Sequence, residues 1–91
     1  MSLIDWQQRN EILYLKGVLD RYTLNQVWQQ GRSLLDTVSN IDVSELTRVD
    51  SAGLALLVNY CLNFNLQLIG INAQLHTLIK LYNLEKVITE K

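Results

Sequence analysis

The chain has 91 residues, of which 48% are hydrophobic and 19% are charged, and this length and composition suit one compact domain with its own core. Eight lysines and arginines stand against nine aspartates and glutamates, so no basic surface of the kind that attracts nucleic acid is expected. The first six residues contain neither a positive segment nor a long apolar one. We therefore predict a single domain over residues 1–91 that is made and retained in the cytoplasm.

The first part of the chain predicts a β-hairpin followed by a helix. Residues 4–8 and 11–19 are rich in β-favouring residues, and Arg9-Asn10 between them suggests a tight turn. Gly17 in the second strand predicts a bulge or the close approach of another backbone. Thr23 is a candidate cap for a helix with one apolar face. Its apolar residues recur at spacings of three and four: Leu24, Val27, Trp28, Gly31, Leu34 and Leu35.

The middle of the chain predicts a central strand and a buried helix. Residues 40–46 alternate apolar and polar positions, and a turn or loop is expected over residues 47–49. Asp50 or Ser51 then opens a helix that extends to about Asn63. Because this helix is apolar nearly all round, both the sheet and neighbouring helices should cover it. Its apolar run is much shorter than the roughly 20 residues that cross a membrane.

The last third adds another strand and another helix. Residues 66–71 read as a short strand, and Asn72 caps a helix with an apolar stripe formed by Leu75, Leu78, Ile79 and Tyr82. Residues 84–88 finish as a short strand or a helical turn. The order β-β-α-β-α-β-α predicts an α/β fold in which a mixed, mostly parallel sheet with an N-terminal β-hairpin is packed by helices.

The sequence offers little that could perform catalysis or bind a metal. Cys61 is a single cysteine inside an apolar run, where burial is its ordinary role. His76 has no second ligand at metal-binding spacing, and Asp42 with Asp50 lacks an accompanying nucleophile or phosphate-binding loop. We predict no enzymatic activity, no metal and no cofactor.

The segment Asp50-Ser51-Ala52-Gly53-Leu54 resembles the signature of STAS domains, in which a strand, an Asp and small residues lead into Gly-Leu and an apolar helix. The likeness extends along nearly the whole chain, through residues 17–20, Trp28 and residues 80–84. It implies the STAS fold, which is the fold of the anti-sigma-factor antagonists. Within that family, the chain is most similar to the STAS subunits of Gram-negative phospholipid-transporting ABC complexes.

That resemblance implies a non-catalytic subunit that binds and supports the cytoplasmic ATPase of the transporter, with the permease in the same complex. Such a subunit contributes to the lipid asymmetry of the outer membrane and is peripheral to the inner membrane, without inserting into it. The alternative is an anti-sigma-factor antagonist that binds an anti-sigma kinase. In those proteins a phosphorylated serine directly precedes the glycine. Here that position is Ala52, whereas Ser51 matches the preceding hydroxyl position.

The start of the second helix is therefore the candidate partner-binding site. A helix N-terminus offers unpaired N–H groups and a partial positive charge. Asp50 can cap it, Ser51 can donate and accept hydrogen bonds, and Ala52 and Gly53 allow close approach. Phosphorylation of Ser51 would add negative charge beside Asp50 and disfavour docking.

Trp28 and Tyr82 are the candidate aromatic anchors of the partner-binding site. Both lie on apolar helical stripes, so each is either packed in the core or partly exposed as an interface residue. If they are exposed, replacing either with alanine is expected to weaken partner binding more than it unfolds the domain. The sequence leaves the choice between core and interface open.

Overall fold

The computed structural model describes residues 3–88, without the side-chain surroundings of residues 31 and 32. The N-terminal Met1-Ser2 and the predicted apolar-face position of Gly31 therefore lie outside the described residues. The elements in order are β1 (Ile4–Arg9), β2 (Ile12–Leu19), α1 (Leu24–Gln26), β3 (Asn40–Val49), α2 (Ser51–Phe64), β4 (Gln67–Ile69) and α3 (Ala73–Leu81). A wide π-helical turn, Val27–Gly31, and a tight 3-10 segment, Arg32–Thr37, continue α1.

The four strands form one mixed sheet in the order β1-β2-β3-β4. β1 and β2 are antiparallel and are joined by a two-residue turn in which Asn10 adopts a left-handed conformation, with φ of 56°. β2 pairs in parallel with β3, and β3 pairs in parallel with β4. The predicted mixed, mostly parallel sheet with an N-terminal hairpin is confirmed.

The core lies on one face of the sheet. The strands β2, β3 and β4 contribute the fully buried Leu13, Leu15, Ile41, Val43 and Leu68 to one apolar cluster. The helices contribute Leu57 and Leu75 to the same cluster. On the opposite face, β1 and β3 carry exposed polar side chains such as Asp5, Gln7, Ser44 and Glu45. The helices thus cover a single face of the sheet.

β3 is longer than the sequence predicted. The expected turn over residues 47–49 is wrong, because the strand continues to Val49 and pairs there with Leu19. The register between β2 and β3 shifts on either side of Gly17. As a result, buried and exposed residues of β3 do not alternate strictly, and the buried Leu46 and Val49 are three residues apart. At Gly17, φ is 107° and an added Cβ would lie 2.2 Å from the carbonyl oxygen of Leu3. The predicted close backbone approach at Gly17 is confirmed.

Several helical predictions also differ from the structure. The predicted first helix is not a regular α-helix. It consists of the short α1, a wide π-helical turn and a tight 3-10 segment, and this combination also places its apolar residues on one side. Thr23 precedes α1, but its side chain makes no capping hydrogen bond. The predicted strand over residues 66–71 shortens to β4, Gln67–Ile69. Residues 84–88, predicted as a short strand or a helical turn, form the helical turn, in which the N–H of Ile88 donates to Leu84 O at 2.9 Å.

α2 is only partly covered, contrary to the prediction of burial on all sides. One side carries the buried Leu54, Leu57 and Cys61, whereas Ser51, Ala55 and Leu62 on the other side are exposed. The buried residues of α2 face the core, and the exposed ones form the opposite side of the helix. Across residues 3–88, no helix combines the length and the hydropathy needed to cross a membrane.

Candidate partner-binding site

Asp50 fixes the start of α2. Its backbone is extended, with φ of −100° and ψ of −175°, and its Oδ1 accepts a hydrogen bond from the N–H of Gly53 at 2.9 Å. Its Oδ2 accepts a second hydrogen bond, at 3.2 Å, from the N–H of Arg21. The predicted capping by Asp50 is confirmed, and the same carboxylate also ties α2 to the loop that follows β2.

The pKa of Asp50 is lowered from its ordinary value. Burial by itself raises this pKa, but the N–H groups of Gly53, Arg21 and Ala52 and the positive charge of Arg21 together outweigh that effect. Hydrogen bonds to the ionised form stabilise the carboxylate. Asp50 is therefore ionised at neutral pH, and each of its carboxylate oxygens accepts a hydrogen bond from within the chain.

The loop after β2 is held by a compact hydrogen-bond network. The buried carboxylate of Asp20 accepts from the N–H groups of Tyr22 and Thr23 at 2.9 and 3.2 Å. The Thr23 hydroxyl accepts from the N–H of Asp20 at 3.0 Å and donates to the Val18 carbonyl at 2.8 Å. This network aims the Arg21 N–H at Asp50. Only the tertiary structure could reveal this junction, because Arg21 and Asp50 are 29 positions apart.

The four predicted residues at the helix start differ in accessibility. Ser51 is exposed, Asp50 and Ala52 are partly buried, and Gly53 is buried. A Cβ added to Gly53 would lie 2.1 Å from the carbonyl oxygen of Leu19. The close approach that Gly53 permits is therefore made to β2 of the same chain. Ser51 is thus the one residue of the four that is exposed.

Ser51 borders an apolar depression of about 250 Å³, which we call the α2 groove. Its lining consists of Ser51, Leu54, Ala55, Tyr82 and Leu84. Tyr82 is 50% exposed, so the structure brings two of the predicted site residues, Ser51 and Tyr82, to one surface. Ala55 could have been found from the sequence, because it lies one helical turn beyond Ser51. Leu84 joins the lining only through the packing of the C-terminal turn.

Trp28, in the π-helical turn after α1, packs against another part of α2. Its ring is stacked on that of Tyr60, with centroids 5.8 Å apart and planes 10° from parallel, and Tyr60 in turn meets Phe64 edge to face at 6.1 Å. Tyr60 is nine residues beyond Ser51, a rise of about 13 Å along the helix. Tyr60 is also buried whereas Ser51 is exposed. Trp28 is thus half-buried in a packed aromatic cluster, separate from the α2 groove.

The other chemically distinctive residues are unconnected with the α2 groove. Cys61 is buried, as predicted, and burial raises the pKa of its thiol to about 11, which keeps it in the unreactive protonated form at neutral pH. His76 is exposed on α3. Within residues 3–88, no three His, Cys, Asp or Glu side chains are grouped as metal ligands.

The sequence and the fold of this chain match known proteins. A family model described as "Mlab, STAS domain" matches residues 2–90. The chain belongs to the MlaB family of STAS domains. A relative from Escherichia coli strain K12, named "Intermembrane phospholipid transport system binding protein MlaB", is 36% identical over 86 residues, which are 89% of each chain.

Solved structures of STAS proteins share this fold. An anti-sigma factor antagonist from Mycobacterium paratuberculosis superposes with a TM-score of 0.75 at 18% identity, covering 96% of this chain and 82% of that one. The unphosphorylated anti-sigma factor antagonist SpoIIAA gives a TM-score of 0.70 at 14% identity, covering 97% and 87%. At these identities the likeness concerns the fold alone, and it is shared by the MlaB family and the antagonists.

Proposed function

We propose that this MlaB-family chain is a non-catalytic subunit of a phospholipid-transporting ABC complex, where it binds and supports an MlaF-like ATPase subunit beside the permease. The name of the Escherichia coli relative places that protein in intermembrane phospholipid transport and calls it a binding protein. In this proposal the chain is cytoplasmic, is held at the inner membrane through the complex, and contributes to outer-membrane lipid asymmetry.

The observation that carries the proposal is the exposure of Ser51 beside an apolar groove. A hydroxyl at an accessible helix N-terminus can exchange hydrogen bonds with another polypeptide. The adjacent apolar surface, with Tyr82 half exposed, supplies the contact area from which binding energy comes. Asp50 contributes by fixing the helix start. Ala52 and Gly53 contribute their small size, which leaves the first turn of the helix free of bulky side chains.

A charge placed at Ser51 tests this site. Ser51→Glu is compatible with the fold, because a carboxylate in the first turn of a helix is favourable. It should nevertheless weaken ATPase binding at least tenfold, because the added charge would have to be buried against the partner. Gln74→Glu is the matched control, since Gln74 is exposed in the first turn of α3.

The measurement is co-purification of the ATPase from native membranes, followed by calorimetric titration with the purified subunit. The proposal requires that the wild-type chain and Gln74→Glu retain the ATPase and that Ser51→Glu loses it. Equal retention by all three proteins would contradict the proposed site. Failure of the wild-type chain to retain any ATPase would contradict the proposed function.

Ser51 is also the proposed regulatory phosphorylation site. A phosphate there would stand beside the ionised Asp50 and disfavour docking by repulsion and desolvation. Intact-mass measurement on protein from its native host should show a phosphoform under some growth conditions, and its absence under all of them would remove this proposal.

The alternative role as an anti-sigma-factor antagonist is disfavoured by Ala52, which has no hydroxyl at the position before the glycine. A kinase-binding assay combined with phosphoproteomics separates the two roles. Specific capture of an anti-sigma kinase, with no ATPase retained, would favour the antagonist.

A further inference from the structure

The outer edge of β1 pairs with no strand in residues 3–88. β1 is the first strand in the sheet order β1-β2-β3-β4, and it is hydrogen-bonded to β2 on one side. Natural proteins usually protect such an edge with Pro, Lys, a bulge or a covering element. Ile4–Arg9 contains no Pro and no Lys, and its register with β2 is unbroken. Beside this edge lies an open depression of about 280 Å³, lined by Ile4, Asp5, Trp6, Gln26 and Gln30. The edge of β1 is therefore open to an added strand.

The backbone groups that point out of this edge belong to Trp6 and Gln8. At the start of the hairpin, the N–H of Val18 donates to Leu3 O at 2.8 Å, and the pairing with β2 continues without a shift over the whole of β1. Hydrogen-bonded and non-hydrogen-bonded positions alternate along an antiparallel ladder, so residues 3, 5, 7 and 9 bond to β2. The N–H and C=O groups of Trp6 and Gln8 therefore face away from β2, where another strand can reach them.

The side chains of β1 are self-complementary about Gln7. If two β1 strands pair in antiparallel fashion with Gln7 opposite Gln7, Asp5 of each copy lies opposite Arg9 of the other. Trp6 then lies opposite Gln8, and the outward backbone groups of the two copies can exchange hydrogen bonds. Asp5, Gln7 and Arg9 are all exposed. Opposite charges attract across strands whereas like charges repel, and no other antiparallel register of these strands pairs Asp5 with a basic residue of β1.

Both charged side chains also have neighbours on β2 of their own chain. Asp5 lies across from Lys16 in the register of the hairpin, and the guanidinium carbon of Arg9 lies 5.1 Å from the ring centroid of Tyr14. The guanidinium group has five N–H donors, and a contact with a ring leaves it able to donate to a carboxylate. Arg9 can therefore contact Tyr14 and the Asp5 of a second copy together.

We propose that a second copy of this chain binds at the edge of β1, in an antiparallel pairing with two-fold symmetry about Gln7 that joins the two four-stranded sheets into one. This inference is independent of the proposed function. The residues that line the α2 groove belong neither to β1 nor to the depression beside it. Each copy thus keeps its own candidate partner-binding site.

Gln8→Pro tests the backbone pairing. Proline is tolerated on an edge strand where the N–H faces away from the neighbouring strand, so the fold should survive, and urea unfolding checks this. The substitution removes a donor from each copy and places the proline ring against the other. In sedimentation velocity, the wild-type chain should dimerise as its concentration rises, and Gln8→Pro should stay monomeric. A wild-type chain that is monomeric at every concentration, or a Gln8→Pro chain that still dimerises, would overturn the inference.

Two charge reversals test the register. Asp5→Arg places arginine opposite arginine at both ends of the pairing, and Arg9→Asp places aspartate opposite aspartate, so each variant alone should dimerise roughly tenfold more weakly. In an equimolar mixture, the two arginines of one variant meet the two aspartates of the other, and dimers should form again. Lys86→Glu, an exposed charge reversal outside β1, is the control and should dimerise as the wild-type chain. A mixture that associates no better than the separate variants would contradict this register.

Discussion

At the residue scale, Asp50 connects the fold to the candidate site. Its two carboxylate oxygens reach α2 and the loop after β2, through Gly53 and Arg21. The sequence predicted the cap, because Asp before an apolar run is a typical helix start. The second hydrogen bond could not be predicted, because it joins residues that only the parallel pairing of β2 and β3 brings together.

Asp50→Ala should lower the free energy of unfolding by about 0.5–2 kcal/mol at pH 7, the usual range for loss of a helix cap. Asp50→Asn keeps an acceptor and should lose less. Because the folded pKa of Asp50 is lowered, the stability due to its charge is present above the unfolded pKa of about 3.9 and is lost as the pH falls through the folded pKa.

Urea unfolding at pH 7 and at pH 3 measures this charge dependence. The difference in stability between the wild-type chain and Asp50→Asn should shrink on acidification. A difference that stays the same at both pH values would contradict a stabilising role for the ionised carboxylate.

The two predicted aromatic anchors should now behave differently. Trp28→Ala removes a ring stacked on the buried Tyr60, so we expect a loss of stability of at least about 2 kcal/mol, somewhat below the roughly 3–5 kcal/mol of fully buried aromatics. Tyr82→Ala should leave the stability nearly unchanged and weaken ATPase binding, because its ring is half exposed beside Ser51.

Thermal unfolding and affinity measured on the same preparations distinguish the two roles. Tyr82→Phe, which keeps the ring, is the matched variant and should bind nearly as the wild-type chain. Equal destabilisation by Trp28→Ala and Tyr82→Ala would contradict this division between core and interface.

At the element scale, the contact between α2 and β2 depends on a glycine. Helix α2 approaches β2 so closely that a Cβ at Gly53 would overlap the Leu19 carbonyl oxygen. The sequence indicated a close approach at Gly53 but not which backbone makes it. The extension of β3 to Val49, which positions Asp50 beside the loop after β2, could not be predicted either. Register shifts break the alternation of buried and exposed residues by which a strand is identified in a sequence.

Gly53→Ala should destabilise the domain by about 1–3 kcal/mol, as overpacking does, even though alanine is the better helix former by about 1 kcal/mol. Ala55→Gly, on the exposed side of the same helix, should lose only about 1 kcal/mol through helix propensity. Chemical denaturation of both variants provides the comparison. An increase in stability for Gly53→Ala would show that α2 does not pack this closely on β2.

At the scale of the whole molecule, one side of the sheet supports the core and one side of α2 remains uncovered. The Cα radius of gyration is 11.7 Å, close to the roughly 12 Å expected from the length. A domain of this size has a limited core, and the exposed Ser51, Ala55 and Leu62 of α2 add little to it in the isolated chain. Partner binding would cover that surface.

The ATPase should therefore stabilise the domain by mass action. At a free ATPase concentration of 100 times Kd, the expected gain is about 2.7 kcal/mol, provided that only the folded chain binds. Hydrogen exchange of the core amides with and without ATPase measures this gain. Ser51→Glu serves as the control and should gain much less, and an unchanged exchange rate in the saturated wild-type complex would contradict binding to the folded domain.

The sequence by itself determined the order of elements, the hairpin, the cap at Asp50 and the STAS signature, because these depend on local periodicity and on residues adjacent in the chain. The tertiary structure decided which residues share a surface. It placed Tyr82 and Leu84 beside Ser51, moved Trp28 into an aromatic cluster and left one side of α2 exposed. Such choices depend on packing between distant segments, and an apolar residue has the same local pattern whether it faces its own core or the outside.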